Sequence, residues 1–332
     1  MEYRDIGHTD LKLSVVTFGA WAAGGWMWGG TDRKEATEAI KTSYDLGVTS
    51  IDTAPVYGQG LSEEIVGEAI RDIPRDSVQI LTKFGLRWDT TKGTHHGESI
   101  DNDGNVINTY IYAAKEDVIK ECEDSLRRLN TDYIDLYQIH WPDSVTPVEE
   151  TMEAVIRLQE QGKVREAGVC NYNRQQMIEA EKFIKLASNQ VPYSMVRRNI
   201  EEELVPWCRN NNKAILAYSP LQRGLLTGKI EKNHTFRRGD SRAELTWFSE
   251  ENIGRVNRFL KKIKPIADSK GATLAQLVIR WTTLQPGITI ALAGARNPRQ
   301  AEENAKAAEL KLSSSELKLI NDNIDALSLV GV

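Results

Sequence analysis

Eight short runs rich in β-branched and aliphatic residues punctuate the chain, each followed by a longer stretch with helical spacing. They lie at 14–18, 49–53, 78–83, 133–139, 164–169, 188–192, 214–218 and 288–293. Strands that alternate with helices run parallel, and strands this apolar are covered on both faces. Eight such units let the sheet close on itself. The sequence therefore predicts an α/β fold, a (β/α)8 TIM barrel, in preference to an open doubly wound sheet. Closure also explains how 332 residues form a single domain, 1–332, where length alone allows one large domain or two ordinary ones. No stretch rich in Pro, Gly or Ser divides them.

Helix ends support the same reading. Between 115 and 129, Val118, Cys122, Leu126 and Leu129 recur at the spacing of one buried face. Asn173 is placed to cap the helix after the fifth strand, and Gly47 and Gly162 stand where helices stop. Ser313-Ser314-Ser315-Glu316 has capping-box spacing and opens an additional C-terminal helix, while an N-terminal β-hairpin precedes the barrel. Two long insertions, 84–112 and 219–248, follow the third and seventh strands and are expected to be functional loops on the mouth of the barrel.

Composition narrows the partners. Hydrophobic residues make up 40% and charged residues 27%, as in a globular protein, and no apolar run reaches the roughly eighteen residues of a membrane span. The opening MEYRDIGHTDLKLS has neither the basic nor the apolar region of an export signal. The net charge is −5 with basic residues scattered, which argues against nucleic acid. Cys122, Cys170 and Cys208 are too few and too far apart for a disulfide framework or a zinc site, so no metal is expected and a reducing cytoplasm fits best.

Familiar nucleotide fingerprints are missing. Gly58-Gln59-Gly60 is followed by Glu63 where a GxGxxG turn needs glycine, and 224–229 lacks P-loop spacing. A nucleotide would have to be held outside the Rossmann scheme.

In a barrel, a polar residue at the C-terminal end of a strand faces the ligand. Asp52 ends the second run, Tyr57 lies five residues on, Lys83 ends the third run and His140 follows the fourth. Singly, each has a plain structural explanation: a cap, a half-buried aromatic, a surface lysine, a hydrogen-bonded histidine. Together they form a proton-donating device. A carbonyl that receives hydride develops negative charge on oxygen, and a tyrosine of ordinary pKa about 10 gives up its proton only when a cation stabilises the phenolate. Lys83 would be that cation, Asp52 would hold it charged, and His140 would orient the carbonyl oxygen.

Asp52-Thr53-Ala54-Pro55-Val56-Tyr57-Gly58, with Glu64 and Gly67, resembles the DTAxxYG…E…G motif of the aldo-keto reductases. Ile80-Leu81-Thr82-Lys83, Gln138-Ile139-His140-Trp141-Pro142 and Ala217-Tyr218-Ser219-Pro220-Leu221 are similar to that family's later signatures, in order across nearly the whole chain. The opening Tyr3-Arg4-Asp5-Ile6-Gly7 and the internal loops look most like family 11, the bacterial NADPH-dependent reductases of general stress protein type.

The resemblance implies an enzyme that reduces small aldehydes and ketones with NADPH, or less favourably NADH, using Tyr57, Asp52, Lys83 and His140. It implies that Asn171 and Gln190 hold the nicotinamide carboxamide while Tyr218 stacks on the ring. Gly19, Ala20 and Trp21 would line the same site. Backbone groups of Ser219, Leu221, Gly224 and Leu225 would cradle the pyrophosphate. Gly294 and Arg296 open a helix whose N-terminus favours anions, Arg296 being the candidate for the 2′-phosphate. Gln300, Glu303 and Asn304 match adenosine-contacting positions. Trp21, Trp26, Trp28 and Trp141 are the candidate substrate pocket, and His95-His96 reads as solvated loop.

Where the family often has Ser-Asn, this chain has Cys170-Asn171, so a hydroxyl contact to the carboxamide is lost. Two other readings compete. The family includes coenzyme-binding β subunits of channels, although no long tail here offers a partner-binding segment, and no obligate protein partner is expected beside a small carbonyl substrate. A Schiff-base aldolase using Lys83 would leave Tyr57, Asn171 and Gln190 unexplained.

Overall fold

The computed structural model describes residues 1–332. Its chain begins with a hairpin, β1 (Tyr3–Asp5) and β2 (Lys12–Ser14), and then enters the first barrel strand, β3 (Val16–Gly19), which leads through a single turn, α1 (Trp21–Gly24), to α2 (Arg33–Asp45). There follow β4 (Ser50–Asp52), α3 (Leu61–Ile70), β5 (Gln79–Phe84), β6 (Leu86–Arg87), β7 (Thr94–Ile100), β8 (Val106–Ile111), α4 (Lys115–Leu129) and β9 (Ile134–Ile139). The second half comprises α5 (Val148–Glu160), β10 (Val164–Cys170), α6 (Arg174–Ala180), β11 (Ser188–Pro192), α7 (Leu204–Asn210) and β12 (Ala214–Tyr218). It closes with α8 (Glu250–Asp268), α9 (Leu274–Thr283), β13 (Ile290–Gly294), α10 (Pro298–Lys306) and α11 (Ser314–Asp325).

Strands β3, β4, β5, β9, β10, β11, β12 and β13 form a closed parallel barrel in that order, so the predicted fold class holds. Inward-facing Leu81, Leu136, Leu216 and Ile290 fill its lower half, and the hairpin plugs the bottom with Ile6 and Leu13, both fully buried in the same cluster. Arg4 secures the plug by donating to the carbonyls of Thr283, Ile288 and Thr289. The larger apolar core lies between barrel and helices. There Val118, Cys122 and Leu126 are buried, while Leu129, on the same face of α4, packs into a neighbouring cluster. Asn173 caps α6 in a capping box with Gln176, Ser313 caps α11 in one with Glu316, and the chain turns left-handed at Gly47 (φ +84°) and Gly162 (φ +70°).

Three details differ from the sequence reading. The first expected strand is divided: Ser14 belongs to the hairpin, where its N–H donates to Ser50 Oγ at 2.9 Å, and the barrel strand begins at Val16. Two helices, α8 and α9, rather than one separate β12 from β13. The insertion 84–112 is no loop. It folds as a three-stranded antiparallel sheet, in the order β6-β8-β7, closed by a turn in which Asp101 accepts from the backbone of Asp103 and Asn105. No helix is long and apolar enough to cross a membrane.

Candidate functional site

The barrel register brings the C-terminal ends of the strands level, with Gly19 beside Asp52 and Lys83 beside Gln138. Lys83 is fully buried, and its ammonium donates to Asp52 Oδ1 at 2.6 Å and to the Thr53 carbonyl at 2.8 Å. The other Asp52 oxygen accepts from Gln190 Nε2 at 2.8 Å and from Gln138 Nε2 at 3.4 Å. Lys83 Nζ stands 5.0 Å from the centre of the Tyr57 ring, and Tyr57 meets His140 edge-on with ring centres 5.7 Å apart. The four residues picked from the sequence are therefore adjacent in space.

The loop that carries Tyr57 is set by close backbone packing. Gly58 has φ +68°, and a Cβ there would lie 2.4 Å from the Gly24 carbonyl oxygen, so only glycine fits. Behind it, α3 lies against the end of α4 at Gly67, where a Cβ would meet the Arg128 and Leu129 carbonyls at 2.7 and 2.8 Å. The buried carboxylate of this motif is Glu63, which accepts from Thr82 Oγ1 at 2.6 Å and Arg128 Nε at 2.7 Å, whereas Glu64 pairs with Arg33 at the surface.

Electrostatics follows from this burial. Desolvation opposes the charge on Lys83, but Asp52 and Tyr57 outweigh it and hold the ammonium above its ordinary pKa. Burial raises the Tyr57 phenol, against the pull of Lys83, so the hydroxyl keeps its proton at rest. Burial and the Lys83 charge keep His140 neutral, well below the usual imidazole range.

A cavity of about 520 Å3 runs from these residues across the mouth of the barrel. Asn171, in a left-handed conformation (φ +61°), accepts from the Tyr218 hydroxyl at 2.9 Å and donates to the His140 carbonyl at 3.0 Å. Cys170 beside it is buried, its thiol pushed up by desolvation. The chain then makes a strained turn, with Ser219, Gln222 and Arg223 all at positive φ. Ser219, Leu221 and Gly224 line the cavity, while Ala20 and Leu225 are fully buried and lie outside its lining.

At the far end, the turn into α10 is organised by its own side chains. Asn297 Oδ1 accepts from Gln300 N, Gln300 Oε1 accepts from Arg296 N, and Asn304 Nδ2 donates to the Gly294 carbonyl. Glu303 pairs with Lys229 at 3.2 Å. Arg296 donates to the Trp28 carbonyl at 3.4 Å, and burial together with Arg242 lowers its pKa. Two loops are clasped here: Trp28 bridges Asp240, Ser241 N donates to the Met27 carbonyl, and Arg242 pairs with Asp240 while lying 4.9 Å from the Trp28 ring. Arg223, 4.7 Å from the Trp21 ring, adds a third guanidinium to the lining. This donor set suits a long ligand with several negative charges.

The other end is aromatic. Trp21 stacks on Tyr57 at 6.0 Å and meets Trp28 edge-on at 5.5 Å. Trp26 is buried, lines the cavity and donates to Ser99 Oγ at 3.0 Å, tying its loop to the extra sheet. Trp141 completes this side, with His96 from β7 resting 4.9 Å from it. His96 was expected in a solvated loop; it is exposed as expected, but it lies on a strand and lines the cavity. Sequence reasoning also passed over Gln138, Arg223 and Arg242. Gln138 was quoted only as part of a motif, and the arginines sit in an insertion without periodicity.

A model of the aldo/keto reductase family matches residues 15–325. The chain is 39% identical over 323 residues to the aldo-keto reductase YhdN of Bacillus subtilis, covering 97% of this chain and 93% of that one. It is 35% identical over 327 residues to an NADH-specific methylglyoxal reductase of Escherichia coli, covering 97% and 98%. Among solved structures, it is similar to glycerol dehydrogenase AKR11B4 from Gluconobacter oxydans, with a TM-score of 0.86, 35% identity and coverage of 99% and 97%. A Klebsiella pneumoniae aldo-keto reductase in complex with NADPH matches with a TM-score of 0.72, 28% identity and coverage of 97% and 95%.

Proposed function

From the premise that this chain belongs to the aldo/keto reductase family and is an oxidoreductase, we propose that it reduces small aldehydes and ketones to alcohols with Tyr57 as general acid. The observation that carries this reading is the buried ammonium of Lys83, held between Asp52 and the ring of Tyr57. When bound, the coenzyme NADPH supplies the hydride, with NADH as the weaker alternative.

The chain's own residues do the rest. His140, neutral, donates a hydrogen bond to the carbonyl oxygen and fixes its direction. As negative charge gathers on that oxygen, the Tyr57 hydroxyl transfers its proton, because an alkoxide is a far stronger base than a phenolate. The phenolate left behind faces Lys83, whose charge Asp52 and the Thr53 carbonyl hold in place. Trp21, Trp26, Trp28 and Trp141 exclude water and enclose the substrate.

The donor set along the cavity fits a dinucleotide. Gln190 spends its amide on Asp52, leaving its carbonyl oxygen for the carboxamide; Asn171 shares that end, and Tyr218 offers a ring face. Ser219, Leu221 and Gly224 would hold the phosphates through their backbone, with Gly19 and Trp21 bordering the reactive end; Ala20 and Leu225, fully buried and outside the lining, would position these segments. Arg296 would take the 2′-phosphate, and Gly294, Gln300, Glu303 and Asn304 the adenosine. We read residues 1–332 as one domain that acts in the cytoplasm without an obligate protein partner; the plug, the extra sheet and α11 all pack on the one barrel. Following NADPH and NADH absorbance with a panel of short aldehydes, ketones and sugars tests the proposal. Absence of coenzyme oxidation with every carbonyl would sink it.

A further inference from the structure

His96 sits at a break in the register of the extra sheet. Along β7 and β8, Thr94 faces Ile111 and His95 faces Tyr110, but the next matched pair is Gly97 with Thr109. His96 is therefore the additional residue of a β-bulge. A bulge interrupts the alternation of side chains between the two faces of a sheet and re-aims the residue it inserts. Here it brings the imidazole into the lining of the cavity that also holds Tyr57 and His140, with its ring 4.9 Å from that of Trp141. His140 feels it: charge on His96 would add to the repulsion that keeps His140 neutral. The neighbouring His95 is committed elsewhere, 2.9 Å from Asn108 Oδ1 and edge-on to Tyr110.

Of the remaining side chains at this end, Trp21 and Trp28 each carry a buried indole N–H without a partner, which can donate but not accept. Trp26 donates to Ser99 Oγ, and Trp141, Leu86 and Met27 present apolar surface. No side chain hydrogen-bonds the His96 ring; the residue stands exposed on β7, and partial loss of solvent with the nearby His95 holds it below the ordinary imidazole range. In its neutral form the ring has one donor nitrogen and one acceptor nitrogen. It can thus accept from a hydroxyl or donate to a second carbonyl with equal ease.

We propose that His96 is a specificity-determining residue whose imidazole hydrogen-bonds a second oxygen of the substrate, so that hydroxy- and oxo-carbonyl compounds are favoured over alkyl carbonyls of similar size. The inference rests on the reductase reading above. The tetrad acts on the reacting carbonyl, the tryptophans enclose the carbon skeleton, and His96 reads what that skeleton carries. A site that hydrogen-bonds a substrate hydroxyl favours that substrate over the analogue lacking it, because the analogue does not form the bond.

The test compares kcat/KM for glyceraldehyde and butanal in the parent enzyme, His96→Phe and His96→Asn, with NADPH affinity measured by fluorescence. Phenylalanine keeps a ring against Trp141 and removes both nitrogens; asparagine restores a donor and an acceptor. The glyceraldehyde-to-butanal ratio is expected to fall about 10-fold in His96→Phe, with butanal and NADPH affinity unchanged to within about twofold, and to recover in part in His96→Asn. A parallel loss for both aldehydes, an unchanged ratio, or no recovery with asparagine overturns the role of His96 and leaves the reductase reading intact. A parent enzyme that oxidises NADPH with neither aldehyde overturns the reductase reading itself.

Discussion

Gln190 Nε2 donates to Asp52 Oδ2 at 2.8 Å, joining two strands whose residues lie 138 apart in sequence. One side chain thereby serves two purposes on the proposed reading: its amide steadies the carboxylate that holds Lys83, and its carbonyl would be left for the coenzyme. Gln138 reaches the same oxygen at 3.4 Å but is fully buried and absent from the cavity lining. The two glutamines should separate in mutants. Gln190→Met is expected to lower kcat about 10-fold and to weaken NADPH binding, whereas Gln138→Met lowers kcat alone. Steady-state kinetics with direct coenzyme titration checks this, and identical behaviour of the two variants would contradict it.

Tyr57→Phe removes one hydroxyl from a ring that keeps its contacts with Trp21 and His140. Turnover is expected to drop by about 10²–10⁴ while NADPH still binds, since general acid catalysis contributes on that scale. Unchanged NADPH oxidation would remove Tyr57 from the mechanism.

Asp52→Asn leaves Lys83 as a buried charge without its counter-ion. Breaking such a pair from one side costs about 3–5 kcal/mol, so the urea midpoint should fall sharply. Asp52→Leu combined with Lys83→Met should recover much of that stability and none of the activity. Equal losses in the single and double variants would mean that the pair matters for packing alone.

Arg296→Ala should raise KM for NADPH about 10-fold or more and leave KM for NADH nearly unchanged, because the guanidinium is assigned to a phosphate that NADH lacks. A parallel rise for both coenzymes would place Arg296 elsewhere on the dinucleotide.

Glu121, on α4, accepts from the Gly85 N–H with both oxygens and lies 3.8 Å from Arg87, which is already bonded to Asp89 and Asp117. Burial dominates and pushes its carboxyl from 4.5 up to about 8. The folded chain therefore retains a proton that the unfolded chain has lost between those values, and stability should decline as pH rises through this window. Glu121→Gln removes the decline. Melting temperatures of parent and variant should diverge from pH 5 towards pH 9, and a constant difference would exclude titration of Glu121.

Much of this architecture was legible because barrel strands and helix faces announce themselves locally. The runs at 188–192 and 214–218 coincide with β11 and β12, and the capping residues Asn173 and Ser313 act where their spacing put them. The ends of strands also pointed to Asp52, Lys83 and His140, since position along a strand decides which way a polar side chain faces. What escaped depends on partners distant in sequence. His96 reaches the cavity through a register break that arises only when β7 pairs with β8, and Glu63 outranks Glu64 only because α3 turns it towards Thr82. Arg242 gains its place from Asp240, two residues before it, and from Trp28, far away near the start of the chain. The extra sheet itself was within reach: Asp103-Gly104 between alternating residues is a strong hairpin signal.

The chain leaves the barrel for that sheet at Gly85 and returns at Tyr112, and these two residues are hydrogen-bonded, Tyr112 N to Gly85 O at 3.1 Å. An excursion whose departure and return share one bond requires no change in the strands it springs from, although its Ser99 and Asn102 are hydrogen-bonded to Trp26 and Gly24. The extra sheet is in that sense a cassette, provided a graft keeps partners for Trp26 and Gly24. Sheets or loops of other lengths can be grafted between the same two residues, and new selectivity can be explored by insertion and deletion while the eight strands beneath stay as they are.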